Sequence, residues 1–411
     1  MPTPILVRCA TLALVLHPAI AAQDPVVAAE PAALVIRTGH PRLAAGLSVG
    51  GGSDLPDLRT GEHFVVTMSA DGDLTVTAGN GVVPFILIEA RPRVLMTIFA
   101  DQVDEVRRLA KATASVSAAG SGMKPAQMAA MMDAIFDFPQ QIEILTVTVD
   151  GSEEKGWDAH AEVVPRPGSG FESGVALLRP SGKGAPRIGA GGVMAMACDL
   201  HPSAMQTVFA AMGGLVANMV DEADRPAVRK LMDTQAAALD GTMAFAFPAG
   251  AVHMVLGCSD REAMRKVMGG DDWIKMQRAF LQGLPDAEVE ITREQAGDLE
   301  IVHTLGDLGT DMNPFAKDGK LEGWATVAGD AMVSVVNGER KIFDDLVRAA
   351  VAGELERAPL PGGAVMTMGM DLAGLMAMSG QEVPPGMPSS IDVRVGKKAK
   401  STLVVDVKVG M

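Results

Sequence analysis

Three segments of the chain share an alternation of apolar residues that ends in an aspartate. They read VLMTIFAD at 94–101, GVMAMACD at 192–199 and AVMTMGMD at 364–371. When the aspartates are aligned, a methionine stands five residues before each one, and apolar residues stand three and one before it. A period of two is typical of a β-strand with one continuous apolar face. We therefore predict a buried strand in each segment.

A helix is predicted to follow each of these strands. The sequences DQVDEVRRLAKA, DLHPSAMQTVFAAM and DLAGLMAM all begin at the aligned aspartate. An aspartate at a strand-to-helix junction accepts hydrogen bonds from the free backbone N–H groups of the first helical turn. Three acidic ligands or catalytic carboxylates are the alternative, but capping alone accounts for aspartate at such positions. The sequence therefore favours helix N-caps at Asp101, Asp199 and Asp371.

Paired strands are predicted after each helix, at 142–151 with 157–165, at 241–258 and at 391–409. A second pattern, of strand, polar turn and amphipathic helix, is found at 254–268 and 332–351, with 73–90 as a third example. Together these patterns predict an α+β fold of degenerate, repeated strand–helix–hairpin units, whose mostly antiparallel sheet has helices packed on it. The predicted boundaries are residues 1–22 for a signal peptide, 23–62 for an N-terminal extension or linker, and 63–185, 186–320 and 321–411 for three α/β units.

The first 22 residues have the pattern of a secretory signal. Arg8 precedes a short apolar run, and small residues with an A-x-A pattern follow at 19–22. We expect cleavage before Ala22 or Gln23, and hence an exported protein that is periplasmic or extracellular. No later segment is long and apolar enough to predict a transmembrane helix, so the sequence indicates a soluble protein after cleavage.

The composition narrows the classes of partner. The formal net charge is −15, only 4% of the residues are aromatic, and tyrosine is absent. Nucleic acids are bound by clusters of Lys and Arg and by stacking aromatic rings, so we exclude nucleic acid as a partner. The chain has 27 methionines and 12 phenylalanines. Flexible thioethers are therefore expected to fill volume that rigid rings fill elsewhere.

Motifs for catalysis or for a cofactor are missing from the sequence. It contains no H-E-x-x-H zinc helix, no Walker motif and no G-x-S-x-G elbow. We therefore expect a non-enzymatic protein without a cofactor. Two cysteines, Cys198 and Cys258, remain after signal cleavage. They could form a disulfide in an exported protein or remain two buried thiols, and the sequence favours neither.

The methionine-rich strands also raise the question of a metal site. Cu(I) is a soft ion that accepts thioether ligands. In the first of the three segments the aligned positions hold Ile98 and Ala100, which cannot bind a metal. The shared property is therefore apolar volume, and the sequence favours core packing over metal binding. The candidate ligands under the metal hypothesis are Met366, Met368, Met370, Met194, Met196 and Cys198.

The segment WATVAGDAMVSVVNGERKIFDDLVRAAVAG, followed by LPGGAVMTMGMDLAGLM, resembles a loose group of bacterial exported proteins of unknown function. In that group a strand, turn and helix are followed by a proline-bearing loop and a strand that ends in Asp-Leu. The resemblance covers roughly residues 190–411. It implies a fold and an exported location, and it brings no activity and no catalytic residues.

These observations predict a non-enzymatic binding or scaffold protein of the periplasm or cell envelope. Its partner would be an unknown protein or an apolar ligand. Three alternatives stay open: a carrier of lipid or another apolar ligand, a hydrolase whose catalytic residues are dispersed, and a soft-metal protein. An enclosed apolar cavity would favour the carrier, and a filled core would favour the scaffold.

Overall fold

The computed structural model describes residues 32–41, 44, 55–121, 132–133, 135–152, 154–189, 192–217, 223–248, 250–268, 270–274, 288–307, 320–378, 384, 387–398 and 401–411. The predicted signal peptide at 1–22 lies outside these residues. The chain divides into two compact units. The first unit is Met1–Val175, Pro384–Pro388 and Lys398–Met411, and the second unit is Ala176–Val383 and Ser389–Lys397. The three-unit division predicted from the sequence stays a prediction.

The first unit is built on an antiparallel sheet. Its strands are β1 (Leu34–Thr38), β2 (Glu62–Met68), β3 (Leu74–Asn80), β4 (Ile86–Ala90), β5 (Ile142–Ser152), β6 (Gly156–Pro165) and β18 (Thr402–Gly410), numbered in chain order. They lie in the order β18-β6-β5-β4-β1-β2-β3. The helices that follow β4 are α1 (Pro92–Ile98) and α2 (Ala100–Ser121), and α3 (Gly170–Leu177) follows β6. Helix α1 contacts β5.

The sheet of the first unit has one apolar and one polar face. Cross-strand pairing places Val147 beside Ala161, and Ala161 beside Val405, on the apolar face. The next residues along these strands, Thr148, His160 and Asp406, are paired in the same way and point to the other face. This alternation is what the period-two pattern of the sequence predicts for an antiparallel sheet.

A larger antiparallel sheet forms the second unit, with the strand order β11-β12-β13-β14-β10-β9-β8-β16-β17. These strands are β8 (Met194–Asp199), β9 (Leu239–Phe247), β10 (Val252–Cys258), β11 (Glu288–Ala296), β12 (Leu299–Asp307), β13 (Lys320–Ala328), β14 (Ala331–Val336), β16 (Met366–Asp371) and β17 (Ser390–Lys398). Two short strands, β7 (Ala185–Pro186) and β15 (Arg357–Ala358), pair with each other. The helices are α4 (Pro202–Ala217), α5 (Arg225–Ala238), α6 (Arg261–Met268), α7 (Arg340–Ala352) and α8 (Leu372–Met378).

The centre of the second sheet is buried on both faces. On one face, Leu256 of β10 packs in a core cluster with Met205 of α4 and Met264 of α6. On the other face, the adjacent Val255 packs in a cluster with Val333 and with Phe343 of α7. A third cluster, which includes Val228, Leu231, Trp273, Ile291 and Val302, joins α5 to β11 and β12. Buried side chains therefore pack against helices on both faces of this part of the sheet.

The predicted α+β class and the mostly antiparallel sheet are confirmed. Strands β8 and β16 confirm the predicted strands at 192–199 and 364–371, but not their burial, since β16 has no buried residue and β8 is buried only at Cys198 and Asp199. The prediction of a strand at 94–101 is wrong, because these residues belong to α1 and to the start of α2. Pro92 occupies the first turn of α1, where its missing N–H group costs no hydrogen bond. A short apolar run fits one side of a helix as well as it fits a buried strand.

Two other segments also differ from the prediction. Residues 73–90 were expected to form a strand, a turn and a helix, but they contain the two strands β3 and β4. Residues 34–38, within the predicted extension, form β1, which pairs with both β2 and β4. By contrast, β10 with α6 and β14 with α7 confirm the strand–turn–helix pattern at 254–268 and 332–351.

Candidate functional site

The six candidate sulfur ligands lie together on two neighbouring strands of the second unit. Strands β8 and β16 pair antiparallel, so that the methionine-rich segments run past each other in opposite directions. Side chains two residues apart in a strand point to the same face. All six therefore share one face, and their cross-strand partners are Met194 with Met370, Met196 with Met368, and Cys198 with Met366.

Apolar residues of the flanking strands extend this face on both sides. On β9, the partners of β8 are Phe247, Phe245 and Met243. On β17, the partners of β16 are Ile391, Val393 and Val395. We name these side chains together the methionine face; it consists of Met194, Met196, Cys198, Met366, Met368, Met370, Met243, Phe245, Phe247, Ile391, Val393 and Val395.

Burial changes along the methionine face. At one end Cys198 is 3% exposed, and Met196 and Met366 pack against the core cluster that contains Met205. Met194, Met368 and Met370 are half-buried, as Met196 and Met366 are, and Phe247 beside Met194 is 4% exposed. The first three belong to none of the core clusters formed by the described residues. What distinguishes these three methionines is that they lie outside the packed clusters while solvent reaches part of each side chain.

The opposite face of the same strands has a different character. Ala195 of β8 and Asp392 and Arg394 of β17 are exposed there, and β16 contributes Thr367 and Gly369. Small, polar and charged side chains thus occupy this side of β8, β16 and β17, whereas the large apolar side chains lie on the methionine face. This is the usual pattern of a sheet that is covered on one face only.

The two cysteines do not supply a reactive thiolate. Both are free and buried in the described structure. Burial raises the pKa of the Cys198 thiol to about 11 and that of the Cys258 thiol to about 12. A thiol with such a pKa stays protonated at neutral pH, and the protonated form is a poor nucleophile and a poor metal ligand. Thioether sulfurs carry no proton, so the methionines do not have to be deprotonated before they bind a metal.

The three predicted helix caps have different outcomes. Asp371 is an N-cap of α8, because its Oδ1 accepts a hydrogen bond of 2.9 Å from the N–H of Gly374. The prediction for Asp101 is wrong, since this exposed residue is the second residue of α2 and lies inside the helix.

The cap predicted at Asp199 is also wrong. Its buried carboxylate accepts hydrogen bonds from the N–H and the hydroxyl of Ser181, across a loop. The residue next to α4 is His201, whose Nδ1 accepts a 3.3 Å hydrogen bond from the N–H of Ser203. Two extra residues between β8 and α4 therefore move the aspartate out of capping distance.

A buried polar network, which the sequence analysis missed, surrounds Asp240 at the start of β9. Oδ1 of Asp240 accepts hydrogen bonds from the N–H and the hydroxyl of Thr242, at 2.9 and 2.7 Å. Oδ2 lies 3.0 Å from Nζ of Lys183 and 3.7 Å from NH1 of Arg357. Arg357 also contacts Asp330 at 3.2 Å. The network ties the segments that carry β7 and β15 to the sheet. Its only signal in the sequence is an acidic residue within an otherwise apolar strand.

The structure also contains an open cleft of about 510 Å³ beside α6. Its rim carries charged and polar side chains, and its floor is apolar. The residues that line it are Glu262, Arg265, Lys266, Met268, Gln295, Asp298, Glu300, Val302 and Val327. This cleft is not the enclosed apolar cavity that a carrier with an internal ligand needs.

None of the described side chains form a group of three or more His, Cys, Asp or Glu residues that could hold a metal ion. Among the described helices, none combines the length and the apolar character needed to cross a bilayer.

Comparison of the chain with protein-family models, curated proteins and solved structures finds no match.

Proposed function

We propose that this protein is an exported, non-enzymatic binding protein of the periplasm or cell envelope, and that its methionine face binds an apolar ligand such as a lipid chain. The observation that carries the proposal is the half-burial of a continuous apolar face at Met194, Met368 and Met370. Farther along the same face, the sheet buries its apolar residues almost completely at Leu256 and Met332. A ligand that covered the half-buried end would complete the burial.

The chemistry of the side chains supports this class of ligand. Fully burying one large apolar side chain contributes about 1.5–3 kcal/mol. The three methionines are already mostly buried, so covering the exposed remainder of all three adds at most about 3 kcal/mol of binding free energy. Methionine has three rotatable bonds and adapts its shape, so a face rich in methionine accommodates ligands that differ in outline.

The succession of elements supports the further proposal of repeated strand–helix–hairpin units. Strand β4 is followed by α1 and α2 and then by β5 and β6. Strand β8 is followed by α4 and α5 and then by β9 and β10. Strand β16 is followed by α8 and then by β17 and β18. Under this proposal the methionine face forms where the first strands of two such units pair.

Export is part of the proposal and rests on the N-terminal sequence. Arg8, the apolar run after it and the A-x-A pattern are typical of a secretory signal. N-terminal sequencing of the mature protein tests this part. We expect a chain that begins at Ala22 or Gln23, and an intact N-terminus in the exported fraction would contradict it.

The binding proposal is tested with the fluorescent apolar probe 1-N-phenylnaphthylamine. Met194→Glu places a charge on the methionine face, whereas Ala195→Glu places the same charge on the exposed opposite face of the same strand. We expect Met194→Glu to weaken probe binding about tenfold or more, which corresponds to about 1.4 kcal/mol, and Ala195→Glu to leave it unchanged. Circular dichroism checks that both variants fold. A parent protein that binds no probe, or equal binding by both variants, would refute the proposal.

A further inference from the structure

Three thioethers at the half-buried end of the methionine face are placed within reach of one another. Met194 and Met370 are direct cross-strand partners. Residues that face each other in this way have Cβ atoms about 4.5–5.5 Å apart. Met368 is the diagonal neighbour of Met194, because its direct partner is Met196. Diagonal neighbours are about 7–8 Å apart, a distance that long side chains span.

We propose that Met194, Met368 and Met370 bind one Cu(I) ion through their thioether sulfurs. Cu(I) is soft and is selected by sulfur ligands over oxygen ligands. Each of the three side chains is flexible enough to turn its sulfur toward a shared ion. Their half-burial leaves a path for the ion to enter and keeps a shielded apolar surrounding, formed by Phe247 and Ile391 in the same row.

The other sulfurs of the face have a different role. Cys198 lies at the opposite end, is 3% exposed, and burial keeps its thiol protonated. Met196 and Met366 pack against the core cluster with Met205. These three side chains therefore stabilise the sheet, and the proposed site is confined to the half-buried end.

A thioether site differs from the common copper sites in its dependence on pH. Thiolate and imidazole ligands must lose a proton before they bind a metal, so their affinity falls as the pH is lowered. Thioethers carry no proton, so the affinity for Cu(I) is expected to change less than about threefold between about pH 7.5 and pH 5.5. A site made by a cysteine or a histidine would lose affinity over that interval.

The test is an anaerobic competition for Cu(I) between the mature protein and bathocuproine disulfonate. The first variant, Met194→Leu/Met368→Leu/Met370→Leu, removes the three sulfurs and nearly conserves their volume. The control variant, Met254→Leu/Met332→Leu, removes two thioethers elsewhere in the same sheet. We expect one Cu(I) per parent chain, at least a tenfold loss of affinity in the triple variant and no loss in the control.

Several results would overturn the proposal: a parent protein that retains no Cu(I) against the competitor, a triple variant that binds Cu(I) as the parent does, or an X-ray absorption spectrum with nitrogen or oxygen neighbours at the copper. The X-ray absorption spectrum is recorded on the parent protein, so it tests the proposal even if the triple variant fails to fold. The titration of the parent protein with 1-N-phenylnaphthylamine, made without copper, tests the proposed function alone, and the competition for Cu(I) tests only this site. The two proposals can therefore fail separately.

Discussion

Replacement of Asp240 by alanine is expected to destabilise the second unit more than any change at an exposed ion pair. The Asp240 side chain is 1% exposed. It accepts two hydrogen bonds from Thr242 and contacts Nζ of Lys183 at 3.0 Å. The side chain of Arg357, 3.7 Å away, is only 15% exposed. Alanine would leave this guanidinium largely buried without one of its two acidic neighbours.

The magnitude follows from these contacts. A hydrogen bond to a charged group contributes about 1.5–3 kcal/mol, and an unpaired buried polar group adds its own desolvation cost. Removing one partner of a buried ion pair costs about 3–5 kcal/mol in comparable cases. Lys183 is half exposed and regains water, and Arg357 keeps Asp330, so we expect the lower part of that range, about 3 kcal/mol.

The assay is urea unfolding followed by tryptophan fluorescence. The chain has three tryptophans. Trp157 lies in the first unit, whereas Trp273 and Trp324 lie in the second. In a Trp157→Phe background the fluorescence therefore reports on the second unit. The matched control is Glu356→Gln, which breaks an ion pair whose side chains are 62% and 67% exposed and is expected to cost less than about 1 kcal/mol.

An Asp240→Ala variant within about 1 kcal/mol of the parent would refute this reasoning. So would a cost equal to that of Glu356→Gln. Either result would mean that the buried contacts of Asp240 contribute no more than exposed ion pairs do, and that β7 and β15 are held to the sheet by other interactions.

Three further changes have expected outcomes. Asp371→Ala should lower the unfolding free energy by about 1 kcal/mol, whereas Asp371→Asn, which preserves the cap, should stay within about 0.3 kcal/mol of the parent. Equal losses of unfolding free energy in the two variants, measured by urea unfolding, would contradict the capping role of Asp371. Hydrogen bonds, first to Asp406 and then to Glu162, raise the pKa of His160 in the folded protein. The protonated side chain therefore stabilises the fold below its unfolded pKa of about 6.5, and this stabilisation is lost as the pH rises through the folded pKa. His160→Gln should therefore cost more stability at about pH 5.5 than at pH 8.5, and an NMR titration midpoint at or below 6.5 would contradict this. Gly241 has φ +94°, and a Cβ at this position would lie 1.8 Å from a backbone oxygen. Gly241→Ala should therefore destabilise the second unit by at least about 2 kcal/mol. A smaller loss of unfolding free energy in the same urea assay would contradict this prediction and show that the backbone relaxes.

Some features of the fold follow from local sequence. The period-two alternation predicted β8 and β16 because each strand has one apolar face along its whole length. Asp371 is directly followed by α8, so the local sequence also predicted its cap. The same reasoning failed at 94–101, because Pro92 starts a helix there and a run of apolar residues fits both structures.

Other features depend on contacts between distant parts of the chain. Alternation shows which residues share a face of a strand, but it does not show which strand will be the neighbour. The pairing of Met194 with Met370 joins residues far apart in sequence. The sequence therefore predicted both methionine-rich strands, but not that they are neighbours or which of their residues pair. Asp240 was missed for the same reason, since its partners Lys183 and Arg357 lie in separate segments.

The most direct test of the proposed function is to identify what the protein carries. The protein would be purified without detergent from its exported fraction, extracted with organic solvent and analysed by mass spectrometry, with Met194→Glu and Ala195→Glu treated in parallel. We predict an apolar molecule in near-stoichiometric amount in the parent and in Ala195→Glu, and a strong loss of it in Met194→Glu. Extracts of the parent with no apolar molecule above the amount found with Met194→Glu would contradict the proposed role of the methionine face.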